Sequence, residues 1–268
     1  MTADGPAAQN KYMVPALAQG LSILALFGRD QASLSAPEIA QKLSLPRATV
    51  FRLLHTLQSM GYLRREADER HFSLGPALLG RGFEYLASLD LIEVAEPILR
   101  SLRDRTGLSA HMAVLDGREV VYVARFAART TIASSVNIGT RFPVHATVMG
   151  RMIICEMSDT ELAQLFAEKS LKRFTEQTPV SLKALKVLLA EDRARGYAVS
   201  QSFFEHGVSS IAAPVRDGAG RIVAAINITA VDAYIDRSSM HGELKDAVLA
   251  ASAEIGGWLC RAPERLHA

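Results

Sequence analysis

Apolar residues recur first at helical spacing. After Pro15, which suits the opening turn of a helix, Leu17, Leu21, Leu24 and Phe27 line up on one side, and Gly28 can end the element. Ser35-x-x-Glu38 forms a capping box, in which hydroxyl and carboxylate each satisfy an end-of-helix N–H; Ile39, Ala40 and Leu43 then make an apolar stripe. The short LSLP link offers Ser44 as a cap and puts Pro46 inside the first turn of a third helix, where Val50, Leu53, Leu54 and Leu57 share a face. Gly61 stops that helix. YLRREADERHFSLG reads as two short strands round a polar tip, Tyr62 and Leu63 going out, Phe72 and Leu74 returning. Three helices, a tight link and a hairpin predict a winged helix-turn-helix over residues 12–75, behind a flexible start at 1–11.

Residues 76–105 read as helical, with 76–90 a linker helix that bridges to a second domain over 91–262. There the pattern alternates. HMAVL and EVVYVARF flank Asp116-Gly117, a pair suited to the positive φ angles of a tight hairpin turn. PVHATVMGRMIICEM reads as helix. Ser158-x-x-Glu161 is a second capping box, Ser181 opens a further helix that ends near Gly196, and SSIAAPV, DGAGR and IVAAINITAV make a second hairpin. A closing helix runs from Met240 to Leu259. Helices mixed with antiparallel strands predict an α+β domain.

Length supports the division: 268 residues, 49% hydrophobic and 22% charged, exceed what one small domain needs. MVPALAQGLSILALF is the most apolar run, but Pro15, Gln19, Gly20 and Ser22 break it, which argues against a membrane span. MTADGPAAQNKY lacks the basic-then-apolar order of a signal peptide, so the expectation is a cytoplasmic protein. The two cysteines, Cys155 and Cys260, give neither a disulfide framework nor metal-ligand spacing, and Cys155 reads as a small buried hydrophobe. No cofactor is expected.

The formal net charge is only +2, so charge matters here by its placement. From Ile39 to Arg65 there are five basic residues, Lys42, Arg47, Arg52, Arg64 and Arg65, and no acid. On the third helix Arg47, Thr49, Arg52, His55 and Thr56 fall wholly or partly outside the core face. Arginine can bond both acceptors of guanine, and threonine can reach a phosphate or a thymine methyl. Arg64, Arg65 and Arg70 on the wing can hold phosphates and set register. Ser35, at the head of the second helix, is grouped with them as a DNA contact. A carboxylate on this surface would be repelled by phosphate, which explains why the segment is kept cationic. Glu66, Asp68 and Glu69 at the wing tip are discordant and suggest that the tip enters no groove.

These motifs carry a family resemblance. VPALAQGLSILALF, LSAPEIAQKLSLPRATVFRLLHTLQSMGYL and FSLGPALLGRG resemble the DNA-binding half and linker of IclR-family transcriptional regulators. VLDGREVVYVAR, IGTRFPVHATVMGR, RARGYAVS and GVSSIAAPVRDGAGRIVAAINI resemble the family's effector-binding half, and the match runs over nearly the whole chain. The resemblance implies a GAF-like effector domain, a homodimer or dimer of dimers, double-stranded operator DNA as partner, and operator contacts from Arg47, Thr49 and Arg52.

For the effector, IGTRFPVHATVMG sets a loop before a helix start that can seat a small anion. GVSSIAAPV supplies Ser209 and Ser210 beside Gly207, and alternation in AINIT puts Asn227 and Thr229 on one strand face. Hydroxyls and an amide with few acids favour a small carboxylate. Carried over from the family position by position, the contacts are His145, Thr147, Met149, Val208, Ser210, Asn227 and Thr229. GRGFEYLASLDLIEVAEPIL and IGTR resemble the aromatic-acid catabolism branch, whose effectors include hydroxybenzoates, protocatechuate and related ring-cleavage acids. Phe142 and Val148 depart from the family's usual leucine and small residue, and both reshape the pocket that the resemblance implies.

Two other readings stay open. A regulator could act through protein contacts without a small ligand. An enzyme could recruit His145, Cys155, Glu205 and His206, but no nucleophile-elbow glycines surround the serines. Cys155 also falls about three helical turns beyond His145, and the seven histidines lack metal spacing. The expectation is a non-enzymatic DNA-binding regulator.

Overall fold

Capping side chains set the starts of several helices. In this computed structural model, which describes residues 12–28, 30–87, 89–128, 136–167, 170–231 and 239–261, the chain divides into two units, 1–88 and 89–268. The flexible start expected for residues 1–11 lies outside the described residues.

The first unit holds α1 (Pro15–Ala25), β1 (Leu34–Ser35), α2 (Ala36–Leu43), α3 (Arg47–Ser59), β2 (Leu63–Arg65), β3 (His71–Leu74) and α4 (Ala77–Ala87). Glu38 Oε2 accepts from both Ser35 N–H (2.7 Å) and Ser35 Oγ (2.6 Å), which closes the expected capping box at the head of α2. Ile23, Phe27, Leu34, Ile39, Val50, Leu54, Leu63 and Phe72 form the buried core where α1, α2, α3 and the wing converge. The wing has a third strand that two residues of alternation could not announce: the sheet order is β1-β3-β2, with Leu34 opposite Phe72 and Leu63 opposite Leu74.

Two local expectations are corrected here. Ser44 caps the end of α2 in the left-handed region (φ 53°) rather than the start of α3, whose N-cap is Pro46. On α1 the buried residues are Gly20 and Ile23, with Leu24 packed against the core and Phe27 buried just past the helix, while Leu17 and Leu21 stay 62% and 58% exposed. The inward face is therefore rotated by about one residue from the one that the leucine spacing suggested.

The second unit follows with α5 (Asp90–Thr106), β4 (Ser109–Asp116), β5 (Glu119–Phe126), β6 (Arg141–Pro143), α6 (Val148–Ile154), α7 (Asp159–Leu165), α8 (Leu182–Arg195), β7 (Ala198–Gln201), β8 (Val208–Arg216), β9 (Ile222–Val231), a 3-10 turn (Ser239–His241) and α9 (Glu243–Arg261). Its six strands are antiparallel to their neighbours in the order β6-β5-β4-β9-β8-β7. Alternation gives each central strand two buried faces. Ile226 and Ile228 of β9 lie on one face; Ala225, Asn227 and Thr229 lie on the other. Helices α5 and α9 pack on each other and on the sheet, whereas α6 packs on β4, β5, β7, β8 and β9 within a separate core cluster of Val144, Met149, Met152, Ile154 and Leu185.

The run PVHATVMGRMIICEM is helical only from Val148. Arg141–Pro143 pairs with β5 as an edge strand, where a proline costs no ladder bond on its open side. The turn after β4 is likewise one residue later than expected: Asp116 pairs with Glu119, and Gly117 alone takes positive φ (58°). Ser158 and Ser181 do cap α7 and α8, and Gly196 ends α8 at φ 77°.

Candidate functional site

Two surfaces carry chemistry. On the first unit, Arg47, Arg52, His55 and Thr56 are exposed along α3 and Thr49 is half-buried, opposite the Val50–Leu54 core stripe. Arg64, Arg65 and Arg70 are exposed on the wing. Among the described residues none of Arg47, Arg52, Arg64 and Arg65 is held in an ion pair. Arg64 Nε instead donates to Ser73 Oγ (3.0 Å), and the Arg65 guanidinium lies 5.3 Å from the Phe72 ring centre, which steadies both side chains without neutralising them. Thr56 Oγ1 bonds back to the Arg52 carbonyl (3.0 Å), and Ser35 is engaged in its cap. Phe51, 62% exposed on the same helix, is an apolar surface residue that the charge pattern did not single out.

The acids of the wing tip have a structural task. Asp68 Oδ1 accepts from the Arg70 and His71 N–H groups, each at 3.0 Å, and its other oxygen pairs with His71 Nδ1. The His71 hydrogen bond, followed by the two backbone bonds, lowers the Asp68 pKa to about 2, and the same bond raises that of His71. Asp68 thus builds the turn that separates β2 from β3.

On the second unit a cavity of about 470 Å³ opens between the α6 face of the sheet and the turns above it, a size typical of small-ligand pockets. Strand register assembles its polar wall. His111 of β4 stands directly opposite Asn227 of β9, and Ser210 of β8 opposite Thr229. Bonds of 3.0 Å (His111 Nδ1 to Asn227 Oδ1), 2.9 Å (Asn227 Nδ2 to Thr229 Oγ1) and 2.9 Å (between the Thr229 and Ser210 hydroxyls) connect them. Burial pushes the His111 pKa down to about 4, so the ring is neutral at physiological pH. Burial also raises that of Tyr122, which lines the cavity edge-on to His111.

An aromatic cluster adjoins the polar groups, beginning at Tyr122 beside His111. Tyr122 meets Phe142 at 5.4 Å and 87°, and Phe142 meets Phe204 at 4.6 Å. Thr147 caps α6 by accepting from Gly150 N–H (3.1 Å), so one of the first N–H groups of the helix is already spent inside the protein. A Cβ on Gly150 would sit 2.1 Å from the Val144 carbonyl oxygen, so only glycine lets α6 pack this closely on its entry loop. The turn that brings Phe204 and Glu205 to the cavity is tied down where Thr178 and Thr175 hydroxyls donate to Phe203 O at 2.6 and 3.1 Å. Beneath it Arg151 and Asp192, 1% and 0% exposed, form a buried pair (Nε to Oδ2, 2.8 Å). Arg151 also donates to Val199 O and stacks on Phe203.

Of the expected effector contacts, Thr147, Val208, Ser210, Asn227 and Thr229 line this cavity. His145 and Met149 are not among its lining residues. The His145 ring donates Nε2–H to Lys172 O (3.0 Å) and packs against Phe166 and Phe174, and Met149 is wholly buried in the α6 core. Burial lowers the His145 pKa. Phe142 and Val148, the two departures from the family pattern, do line the cavity. Sequence reasoning missed His111, Tyr122, Ser200 and Phe204; the paired phenylalanines of AVSQSFFEHG were the available signal for the last. Cys155 packs in the core, its thiol pKa pushed up to about 11 by burial, far from any nucleophile's range. No group of metal-ligating side chains occurs among the described residues, and no helix among them is long and apolar enough to cross a membrane.

A helix-turn-helix unit followed by an α+β unit that holds a cavity is the architecture of a DNA-binding regulator. Residues 16–67 match the model of the IclR helix-turn-helix domain and residues 83–256 that of the bacterial transcriptional regulator IclR C-terminal domain. The chain belongs to the IclR family of transcriptional regulators, and its relatives are regulators, not enzymes. It is 33% identical to the Pca regulon regulatory protein of Pseudomonas putida over 240 residues, 89% of this chain and 82% of that one. A transcriptional regulator from Rhodococcus sp. RHA1 superposes with a TM-score of 0.82 at 33% identity, covering 93% of this chain and 99% of that one. An IclR homologue from Microbacterium hydrocarbonoxydans, solved in complex with 4-hydroxybenzoate, has the same fold (TM-score 0.80, 23% identity, 92% and 100% covered).

Proposed function

We propose that this regulator's occupancy of its operator is set by a small aromatic acid held in the cavity of the second unit. The observation that carries the reading is the cavity's division into a ring-lined wall (Tyr122, Phe142, Phe204) and a wall of neutral hydrogen-bonding groups (His111, Ser210, Asn227, Thr229). An aromatic acid needs both: stacking surface for the ring, and N–H or O–H donors for the carboxylate. No lysine or arginine lines the cavity among the described residues, so donors rather than a cation hold the acid. The 4-hydroxybenzoate complex of the Microbacterium homologue and the likeness to the Pca regulon protein support the same class.

On DNA, α3 enters the major groove with Arg47, Thr49 and Arg52 at base edges. Arg64, Arg65 and Arg70 hold phosphates, and Ser35 and His55 flank the contact. Leu17 and Leu21 of α1 and Leu79 and Phe83 of α4 leave apolar surface that a second copy covers, giving the dimer, or dimer of dimers, that a two-fold operator requires. The protein works in the cytoplasm, with its DNA.

A gel-shift titration on the upstream intergenic DNA, at two salt concentrations and with or without a pool of aromatic acids, tests the reading. Salt-sensitive, sequence-specific binding that the pool changes is the expected result. Specific binding that the pool leaves untouched would favour a regulator acting through protein contacts.

A further inference from the structure

One large apolar side chain stands on the cationic face of the first unit. Phe51 is 62% exposed on α3. Arg47 lies one turn before it, His55 one turn after it and Arg52 beside it, all three exposed. No acid occurs from Ile39 to Arg65. Single apolar side chains are ordinary on a protein surface, and what marks this one is its company. Nor does it continue the apolar surface of Leu17 and Leu21 on α1. Leu53, about 200° round α3 from Phe51, is the residue that meets α1, where a Cβ on Gly20 would lie 3.9 Å from Leu53 Cδ2. Phe51 therefore leaves α3 on the side turned away from α1. A partner seated there must satisfy exposed cations and an apolar ring together, which the edge of a DNA major groove does.

We propose that Phe51 is a specificity-determining residue that packs on the C5-methyl group of a thymine in the operator. The inference rests on α3 entering the major groove. The thymine methyl is the apolar group that base pairs present there. The ring has no hydrogen-bonding atom, so against the amino group of cytosine it would strip water from a donor and return nothing. Four residues of helix carry the chain about 6 Å, close to two base steps, so the thymine lies about two base pairs from the base that Arg47 contacts. The arginines then select guanine through hydrogen bonds, and Phe51 adds an A·T pair through an apolar contact. Because this contact neutralises no phosphate, its share of the affinity is independent of salt.

Fluorescence anisotropy of the full chain tests this on the upstream intergenic DNA, once footprinting has located the operator. Each thymine of the footprint is replaced in turn by deoxyuridine, which removes the methyl and keeps every hydrogen-bonding group. For the wild type, replacement at a thymine near the Arg47 contact should weaken binding about fourfold, what burial of one methyl gives. Phe51→Ala should bind the unmodified operator more weakly by a similar factor, alike at low and high salt, and should feel the same replacement by less than about twofold. The wild-type scan needs no variant, and circular dichroism checks that Phe51→Ala is folded. A wild type that feels no replacement, or a Phe51→Ala that feels it as strongly, would overturn the role of Phe51. Arg52→Ala judges the reading beneath it: a relaxed base preference keeps α3 in the groove, whereas an unchanged one removes α3 and Phe51 together. Weaker self-association of Phe51→Ala in sedimentation would place the ring against a second copy of the chain and overturn the proposal as well.

Discussion

Replacing Arg151 by methionine isolates what the buried pair under the cavity does. The guanidinium is 1% exposed and the Asp192 carboxylate 0% exposed. The change removes the 2.8 Å bond to Asp192 Oδ2, the 2.8 Å bond to Val199 O and the stacking on Phe203. Breaking a buried pair from one side costs about 3–5 kcal/mol, because the remaining charge keeps its desolvation penalty and loses its partner. Asp192 retains Arg195 at 2.9 Å, a partly exposed partner, so the lower end of about 3 kcal/mol applies. For a unit of this size that is a fall of roughly 6–12 °C in midpoint. Burial raises the Asp192 pKa in spite of two nearby guanidiniums, so desolvation outweighs attraction here. It follows that Arg151→Met combined with Asp192→Leu should recover most of the loss. Thermal and urea unfolding followed by circular dichroism measure both variants. A single variant within about 1 kcal/mol of wild type, or a double variant no better than the single, would refute the reasoning.

On DNA, Arg52→Ala should cost about 1–3 kcal/mol of operator binding and relax base preference, whereas Arg65→Ala should weaken all sequences alike and flatten the salt dependence; fluorescence anisotropy at several salt concentrations separates the two. At the wing, the His71 imidazole should titrate above 6.5 by NMR and return towards that value in Asp68→Asn. A raised histidine pKa makes this tie strongest below pH 6.5, and it weakens as pH climbs through the folded value. The Asp68 share is present above 3.8 and is lost as pH falls towards 2. With a disulfide-exchange thiol reagent, Cys260 should react at once and Cys155, buried with its pKa near 11, only on unfolding; two fast thiols would contradict the buried site.

Much of the first unit was legible because its signals are local. Ser35-x-x-Glu38, the Val50–Leu54–Leu57 stripe and the acid-free run to Arg65 each lie within one element. Where apolar residues come in short runs, helix and strand look alike, and Pro143, read as the start of a helix, instead ends β6. The cavity was legible only in part. Asn227 and Thr229 share a strand, so alternation sufficed for them. His111 sits 116 residues from Asn227 in an unremarkable apolar run, and only the β4–β9 register joins the two. His145 stands next to the lining residues in sequence, yet its ring is spent on Lys172 O and two phenylalanines.

The cavity's polar groups and two of its aromatic rings come from different kinds of backbone. The polar groups are fixed by register in the middle of a six-stranded sheet; Phe142 and Phe204 reach the cavity from an edge strand and a turn. A sensor assembled this way has two separate dials. Exchanging Phe142, Val148 or Phe204 should change which molecular outline is admitted while the hydrogen-bond grammar stays as it is. Changing that grammar means altering residues on which the sheet itself depends. Descendants of this chain, natural or engineered, would then drift most readily among compounds that share one polar signature and differ in bulk.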